Sequence, residues 1–225
     1  MEQIELIVAN NSKSPIAEAY RAVRTNLQFA SVGKDIRCIS FTSSSPAEGK
    51  STTISNISLA MAQDGKKVLL IDADMRKPEQ HHIFNVANRG LSNCIAMNLP
   101  LVEAVQPSAY ENLDILAAGP IPPNPSELLG SKQMQQLLME AKDMYDFVFV
   151  DMPPVLAVTD AAVLASKVDG VVLVVKSGGI SPDEAKMAKT RLKQGGATLL
   201  GVILNAVPQQ HQSSYGYYYY YTDEK

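Results

Sequence analysis

Six short apolar runs recur along the chain and determine its predicted architecture. They occupy residues 38–42, 68–71, 113–116, 147–150, 171–175 and 199–204. Short apolar runs without alternation are typical of strands that are buried on both faces. Because most of the intervening segments have helical periodicity, we predict an α/β fold of the P-loop NTPase type, with a mostly parallel sheet between two layers of helices.

Helix boundaries follow from start signals and periodicity. Residues 51–63 are predicted to form one helix, and residues 126–144 a second, single helix that begins at an Asn-Pro-Ser signal. A third begins at residues 181–183, and an N-terminal helix with an apolar stripe covers about residues 15–30. Residues 76–100 are polar and irregular, which predicts small helices over the active face.

One strand–helix transition has the composition of a phosphate-binding loop. Residues 43–52 read S-S-S-P-A-E-G-K-S-T and follow the first apolar run directly. In such loops, backbone N–H groups and a helix N-terminus surround the phosphates of a nucleotide. Lys50 can reach the β- and γ-phosphates, and the Ser51 hydroxyl can bind Mg²⁺. The start is irregular, because Ser44 stands where the usual pattern has glycine, so the loop alone predicts only a nucleotide site.

Acidic side chains follow two further strands. Asp72 and Asp74 come after residues 68–71, and Asp151 comes after residues 147–150. Because parallel strands end at one edge of a sheet, we expect these carboxylates beside the loop. Ser51 and Asp151 are then placed to hold Mg²⁺, directly or through water. Asp72 can orient an attacking hydroxyl, or both Asp72 and Asp74 can only arrange water around the metal; the residues leave this open.

Size and charge limit the function classes. The chain has 225 residues, enough for one α/β domain, and a formal net charge of −3. This charge gives no general attraction to DNA or anionic lipid, so no nucleic-acid partner is predicted. The sequence has neither a signal peptide pattern nor an apolar run long enough to cross a bilayer. We expect a cytoplasmic protein whose membrane association comes through a partner.

The C-terminal composition is unusual. Six of the nine tyrosines lie in the last eleven residues, among glutamine, serine and charged side chains. Their run lacks the alternation of a half-buried strand. We therefore predict one domain over residues 1–206 and a flexible tail over residues 207–225. The tyrosines of this cluster are Tyr215, Tyr217, Tyr218, Tyr219, Tyr220 and Tyr221.

Together these motifs resemble those of the bacterial tyrosine kinases, a branch of the P-loop ATPases that also contains partitioning and septum-site ATPases. The similarity rests on the loop S-S-P-A-E-G-K-S-T, the strand ends L-L-I-D-A-D-M-R-K-P and F-V-F-V-D-M-P-P, the segment A-G-P-I-P-P-N-P-S-E-L-L and the tyrosine cluster. It extends over nearly the whole chain. The sequence is most similar to the separate cytoplasmic kinases of capsule and exopolysaccharide systems, in which a membrane protein supplies the transmembrane part.

The resemblance implies an ATP- and Mg²⁺-dependent protein-tyrosine kinase that phosphorylates its own tyrosine cluster and regulates capsular or exopolysaccharide synthesis and export. It also implies a ring-like homo-oligomer, protein tyrosine substrates, and a transmembrane activator of the polysaccharide co-polymerase type that recruits the kinase to the inner face of the membrane. The helix motif Glu18-x-x-Arg21-x-x-Arg24 would form the subunit interface.

The same resemblance assigns roles within the site. Asp72 would be the catalytic acid–base residue. The other catalytic positions would be Lys50, Asp74 and Arg76; the nucleotide-binding positions would be Glu48, Gly49, Lys50, Ser51, Thr52 and Asn205; and the metal-binding positions would be Ser51, Asp74 and Asp151. Two positions depart from the pattern, since Ala47 stands where many relatives have glycine and Met152 where threonine is common. Alanine would be strained at position 47 if the backbone there needs a positive φ.

Three other functions fit parts of the sequence. An ATPase of the partitioning or septum-site type would use ATP binding as an assembly switch, without phosphorylating tyrosine. Such relatives commonly carry a second lysine early in the loop, whereas this chain has none between Phe41 and Lys50. An iron–sulfur reductase would need loop cysteines, but Cys38 lies in a predicted strand. A non-catalytic assembly module would use the tyrosines as adhesive aromatics.

Overall fold

Seven strands form one sheet in the computed structural model, which describes residues 6–208. In chain order the strands are β1 (Cys38–Ser43), β2 (Val68–Asp72), β3 (Gln106–Pro107), β4 (Leu113–Leu116), β5 (Phe147–Asp151), β6 (Gly170–Lys176) and β7 (Leu199–Asn205). Across the sheet their order is β3-β4-β2-β5-β1-β6-β7. All neighbours are parallel except β3 and β4, which are antiparallel, so the predicted mostly parallel sheet is confirmed.

Helices connect the strands and cover both faces of the sheet. In chain order they are α1 (Ile7–Asn10), α2 (Pro15–Ser31), α3 (Lys50–Gln63), α4 (Gln80–Ile83), α5 (Leu91–Met97), α6 (Leu101–Ala104), α7 (Pro125–Gly130), α8 (Lys132–Met144), α9 (Asp160–Leu164) and α10 (Pro182–Gln194). Helices α2 and α3 lie on one face, and α8 and α10 on the other. The chain therefore has the three-layer α/β fold that the apolar runs predict.

Two apolar cores explain why the strands are apolar on both faces. Phe41 and Phe149 belong to the core on the α3 side, with their ring centroids 5.5 Å apart. Val148 and Val150, which flank Phe149 in β5, belong to the core on the α8 side. Successive strand residues thus alternate between two buried faces, and a continuous apolar run is the expected result.

The predicted element boundaries are nearly correct, with one exception. Each of the six predicted strands is observed within one residue of its predicted bounds. The predicted single helix over residues 126–144 is wrong, because the chain forms α7 and α8 with a break at Ser131. Ser131 has an extended backbone, with φ −68° and ψ 163°, and its hydroxyl oxygen accepts the Met134 N–H at 3.1 Å. A serine that caps a new helix competes with continuation of the old one.

The strand order places three strand ends next to one another. β1 lies between β5 and β6, and β5 lies between β1 and β2. In the sheet register, Asp72 is paired with Asp151, and Asp151 with Phe41. The chain reverses its direction of winding at β1, and such a position is where ligands bind in open α/β sheets. The end of β1, where the phosphate-binding loop begins, is thus beside both acidic strand ends.

One sequence expectation falls on a part of the chain that the structure does not describe. The tyrosine cluster and the predicted tail over residues 207–225, except residues 207 and 208, lie outside the described residues. Within residues 6–208, none of the helices has the length and apolar character that a membrane crossing requires.

Candidate active site

The phosphate-binding loop connects β1 to α3 and is held by a buried glutamate. The two carboxylate oxygens of Glu48 accept the backbone N–H groups of Ser45, at 2.7 Å, and Lys176, at 3.1 Å. Glu48 is only 3% exposed. Its side chain therefore joins the loop to the end of β6, and only its backbone remains available for the nucleotide contact that the resemblance implies.

Asn205, at the end of β7, lies directly against the loop. Its Nδ2 donates to the backbone carbonyl of Glu48 at 2.9 Å. Gly49 has φ +81°, and a Cβ at this position would lie 2.1 Å from the Asn205 Nδ2. The left-handed backbone and this close approach together require glycine. The structure thus brings Asn205 to the loop, 157 residues away in sequence from Glu48.

The ammonium group of Lys50 lies among the three predicted metal ligands. Its Nζ is 2.6 Å from Oδ1 of Asp151, 3.1 Å from the Ser51 hydroxyl and 3.5 Å from Oδ2 of Asp74. Burial on its own lowers the pKa of Lys50. The charges of Asp151 and Asp74 outweigh that effect, so its pKa lies above the ordinary value and the lysine is charged.

This arrangement provides a test of whether the residues fit Mg²⁺. A cation, the Lys50 ammonium, already occupies a position bounded by two carboxylates and a hydroxyl. Within residues 6–208, no three side chains of His, Cys, Asp or Glu converge into a complete metal cage. Mg²⁺ does not need one, because it usually keeps several water ligands and binds substrate phosphates as well as one or two carboxylates. The oxygen ligands of Ser51, Asp74 and Asp151 fit this ion.

Asp72 is buried beside these groups and is bonded to backbone amides. Its Oδ2 accepts the N–H groups of Glu79 and Gln80, both at 3.0 Å, and its Oδ1 accepts that of Asp74 at 3.2 Å. Burial and the nearby charge of Asp151 raise the pKa of Asp72 well above its ordinary value. The structure therefore gives Asp72 a clear part in fixing residues 73–80, whereas its acid–base role stays a prediction.

The sequence patterns do not point to Gln80, which is the first residue of α4. Its Nε2 donates to Oδ2 of Asp151 at 2.7 Å, and its Oε1 accepts from the Ser55 hydroxyl at 2.8 Å. Gln80 is completely buried. A glutamine in an irregular polar segment carries no local signal of such a role. Only the fold brings it to Asp151, 71 residues further along the chain.

Arg76 pairs with an aspartate that the sequence analysis does not single out. The Nε and Nη2 atoms of Arg76 lie 2.9 Å and 3.0 Å from the carboxylate oxygens of Asp160, which also accepts from Ser126. Burial raises the pKa of Asp160, but the bonds from Arg76 and Ser126 outweigh this, so its pKa is below the ordinary value. Arg76 is therefore held at the start of α9, and its catalytic role stays a prediction.

The remaining predicted positions lie on helices. Thr52 is in the first turn of α3, where its carbonyl accepts from Asn56 at 3.0 Å. On α2, Arg21 pairs with Glu18 at 2.8 Å, and Arg24 pairs with Asp64 at the end of α3, at 3.2 Å. Both arginines therefore have partners within their own chain, and their role at a subunit interface stays a prediction.

The two departures from the family pattern have different structural settings. Ala47 has φ +63°, in the left-handed region, so its methyl group strains the loop. Met152 is completely buried after β5, in the core on the α8 side.

Replacing Ala47 by glycine is expected to stabilise the protein by about 0.5–1 kcal/mol. The substitution relieves a strain of about 1–2 kcal/mol in the left-handed backbone. The greater conformational entropy of glycine in the unfolded chain offsets part of that gain. Thermal unfolding measures the change. The control is Ala87→Gly, at an exposed position without a positive φ, which is expected to be destabilising. Equal effects of the two substitutions would show that the loop is not strained.

The comparisons with known proteins agree with this geometry. The profile of the AAA domain family matches residues 36–184. Tyrosine-protein kinase YwqD of Bacillus subtilis (strain 168) is 46% identical over 96% of this chain and 92% of its own length. The solved kinase domain of Escherichia coli tyrosine kinase ETK has a TM-score of 0.89 and 38% identity, and the match covers 97% of this chain and 86% of that one.

A septum site-determining protein is structurally more distant. The septum site-determining protein MinD of Pyrococcus horikoshii OT3, solved with Mg-ADP, has a TM-score of 0.65 and 25% identity, over 80% of this chain and 76% of that one. Fold and site together define a P-loop ATPase domain with a nucleotide site at the end of β1. Within that class, the chain belongs to the family of bacterial tyrosine-protein kinases. The comparisons do not favour the alternative, an ATPase of the partitioning or septum-site type.

Proposed function

We propose that this kinase uses Mg-ATP to phosphorylate its own tyrosine cluster, Tyr215 and residues 217–221, and thereby regulates the synthesis and export of a capsular or exopolysaccharide. The observation that carries the proposal is the cation position bounded by Ser51, Asp74 and Asp151, next to the Gly49 loop. The tyrosine-rich C-terminus supplies an acceptor on the same chain.

The chain's own residues account for most of the work of phosphoryl transfer. The loop before α3 binds the phosphates with backbone N–H groups and the helix N-terminus. Lys50 balances the charge of the phosphates, for which it leaves its contacts with Asp151 and Asp74. Bound Mg²⁺ supplies further neutralisation of the charge on the transferred group. Asp72, fixed by three backbone amides, orients the attacking hydroxyl and accepts its proton late in the transfer.

The chain after β7 is long enough for the acceptor tyrosines to reach an active site. From Asn205 to Tyr221, an extended chain spans at most about 55 Å. We propose that the cluster is offered to a neighbouring subunit in a ring-like oligomer assembled through α2. The kinase is cytoplasmic in this proposal, and a transmembrane partner of the polysaccharide co-polymerase type recruits and activates it.

Mass spectrometry after incubation with Mg-ATP tests the proposal. The protein is incubated alone and with the cytoplasmic segment of a membrane partner, and phosphorylated residues are mapped. Phosphate on the tyrosine cluster of the wild type is expected, and none on a variant with all six cluster tyrosines replaced by phenylalanine, which should still bind ATP. ATP hydrolysis with an unmodified cluster would instead support an assembly ATPase.

Phosphorylation of the cluster is expected to dissociate the oligomer. Each phosphotyrosine adds about −1.5 to −2 charges, so six sites add about −9 to −12 to a chain of net charge −3. Repulsion between neighbouring chains then opposes a closed ring. Light scattering before and after Mg-ATP treatment measures the change. The variant with six phenylalanines serves as the control and should keep its size; an unchanged size of the phosphorylated wild type would contradict the prediction.

A further inference from the structure

Gln80 joins three parts of the site through one buried residue. Its side-chain Nε2 donates to Asp151, at the end of β5, and its Oε1 accepts from Ser55, on α3. Its backbone N–H donates to Asp72, at the end of β2. Gln80 is thus bonded to both acidic strand ends and to the helix that follows the phosphate-binding loop. The family resemblance assigns no role to this glutamine.

We propose that Gln80 is a positioning residue for the metal, because it fixes the orientation of the Asp151 carboxylate. The two oxygens of Asp151 have different partners: Oδ2 accepts from Gln80 at 2.7 Å, and Oδ1 faces the Lys50 ammonium at 2.6 Å. Rotation of the carboxylate would break a buried hydrogen bond to Gln80. Only Oδ1 is therefore presented to a cation. The inference rests on the proposed Mg-ATP function.

The orientation of the Gln80 amide is itself determined by its neighbours. An ionised carboxylate only accepts hydrogen bonds, so Gln80 must turn its NH₂ group to Asp151 and its oxygen to Ser55. The Ser55 hydroxyl has one proton and two acceptors within reach, Oε1 of Gln80 at 2.8 Å and the Ser51 carbonyl at 2.7 Å, so its bond to Gln80 is shared. The bond to Asp151 is therefore the one that fixes the amide.

Three variants distinguish the contributions of the hydrogen bonds at the two ends of this amide. Gln80→Met keeps the approximate size but removes both hydrogen bonds. Gln80→Leu also removes both hydrogen bonds, with a smaller and branched side chain. Ser55→Ala removes only the bond at the far end from Asp151. A residue that merely packs α4 against α3 would respond equally at both ends, whereas a positioning residue for Asp151 would not.

The experiment measures Mn²⁺ binding to the full chain in the presence of ADP, by electron paramagnetic resonance. We expect Gln80→Met and Gln80→Leu to weaken Mn²⁺ binding about 10-fold or more, the effect typical of losing a partner that orients a metal ligand. Ser55→Ala should change it by less than about 3-fold. ADP affinity in EDTA should stay within about 2-fold for all three, because backbone N–H groups of the loop, and not Gln80, bind the phosphates.

Unchanged Mn²⁺ binding by Gln80→Met or Gln80→Leu, or equal weakening by Ser55→Ala, would overturn the positioning role while leaving the proposed function intact. Failure of the wild type to bind Mn²⁺ with ADP would overturn both. Thermal unfolding in EDTA shows whether Gln80→Met is folded; if it is not, Gln80→Leu decides the question.

Discussion

Replacing Lys50 by methionine is expected to abolish phosphorylation of the tyrosine cluster and, independently, to destabilise the protein in the absence of nucleotide. The first effect follows from the loss of the cation that balances the phosphate charge. The second follows from the structure without ligand, in which the Lys50 ammonium lies between Asp151 and Asp74. The two effects have different origins and are measured separately.

The stability effect arises because Lys50 is the partner of buried carboxylates. Asp151 and Asp74 have side-chain exposures of only 1% and 10%, and Lys50 one of 9%. Removing one member of a buried ion pair leaves a charge without compensation, which costs about 3–5 kcal/mol. For a protein of this size, 3 kcal/mol corresponds to a decrease in Tm of roughly 6–12 °C. Mg²⁺ should recover part of this loss, because it can take the place of the ammonium.

Thermal unfolding of Lys50→Met with EDTA and with Mg²⁺ tests this prediction. The control is Lys186→Met, which removes an exposed pair with Asp183 and should cost less than about 1 kcal/mol, with no dependence on Mg²⁺. Phosphotyrosine mapping of the same variants gives the effect on activity. A Lys50→Met protein as stable as the wild type in EDTA would show that the lysine does not compensate the carboxylates.

The fold was largely predictable because its signals are local. Apolar runs at residues 38–42 and 147–150 identify strands that are buried on both faces, and each was found within one residue. β3 was not predicted, since its two residues carry no pattern. The break at Ser131 was not predicted either, because the residues around it favour a helix and only the capping geometry of its side chain shows where a new one begins.

The site was predictable where a motif or the end of a strand marks its residues. Gly49, Lys50 and Ser51 form one such motif, and the ends of β2 and β5 marked the acidic residues beside it. Partners that neither a motif nor a strand end marks gave no signal. Arg76 is bonded to Asp160, 84 residues away, and Glu48 to Lys176, 128 residues away. The resemblance implied a nucleotide contact for Glu48, and nothing in the sequence showed that its carboxylate also holds the loop.

Replacing Asp72 by asparagine is expected to lower phosphoryl transfer by about 10²–10⁴-fold, the usual contribution of an acid–base residue. The same change should stabilise the metal-free protein. Asp72, Asp74 and Asp151 place three carboxylates around one ammonium, and burial together with the charge of Asp151 raises the pKa of Asp72 above 3.8. Removal of one negative charge relieves this repulsion, and an asparagine that turns its oxygen to Glu79 and Gln80 gives up only the 3.2 Å bond from the Asp74 N–H.

The pH dependence of the free energy of unfolding tests the sign of this stabilisation. A carboxyl with a raised pKa in the folded state takes up a proton on folding, so its contribution to stability is favourable at low pH and is lost as the pH rises. In EDTA, the stability advantage of Asp72→Asn should therefore grow from pH 5 to pH 8. The control is Asp146→Asn, at an exposed carboxylate that accepts the Lys67 N–H at 2.8 Å. If Asp72→Asn remained fully active, the proton acceptor would have to be another group. If it were less stable than the wild type at pH 8, the lost bond from the backbone would outweigh the relieved repulsion.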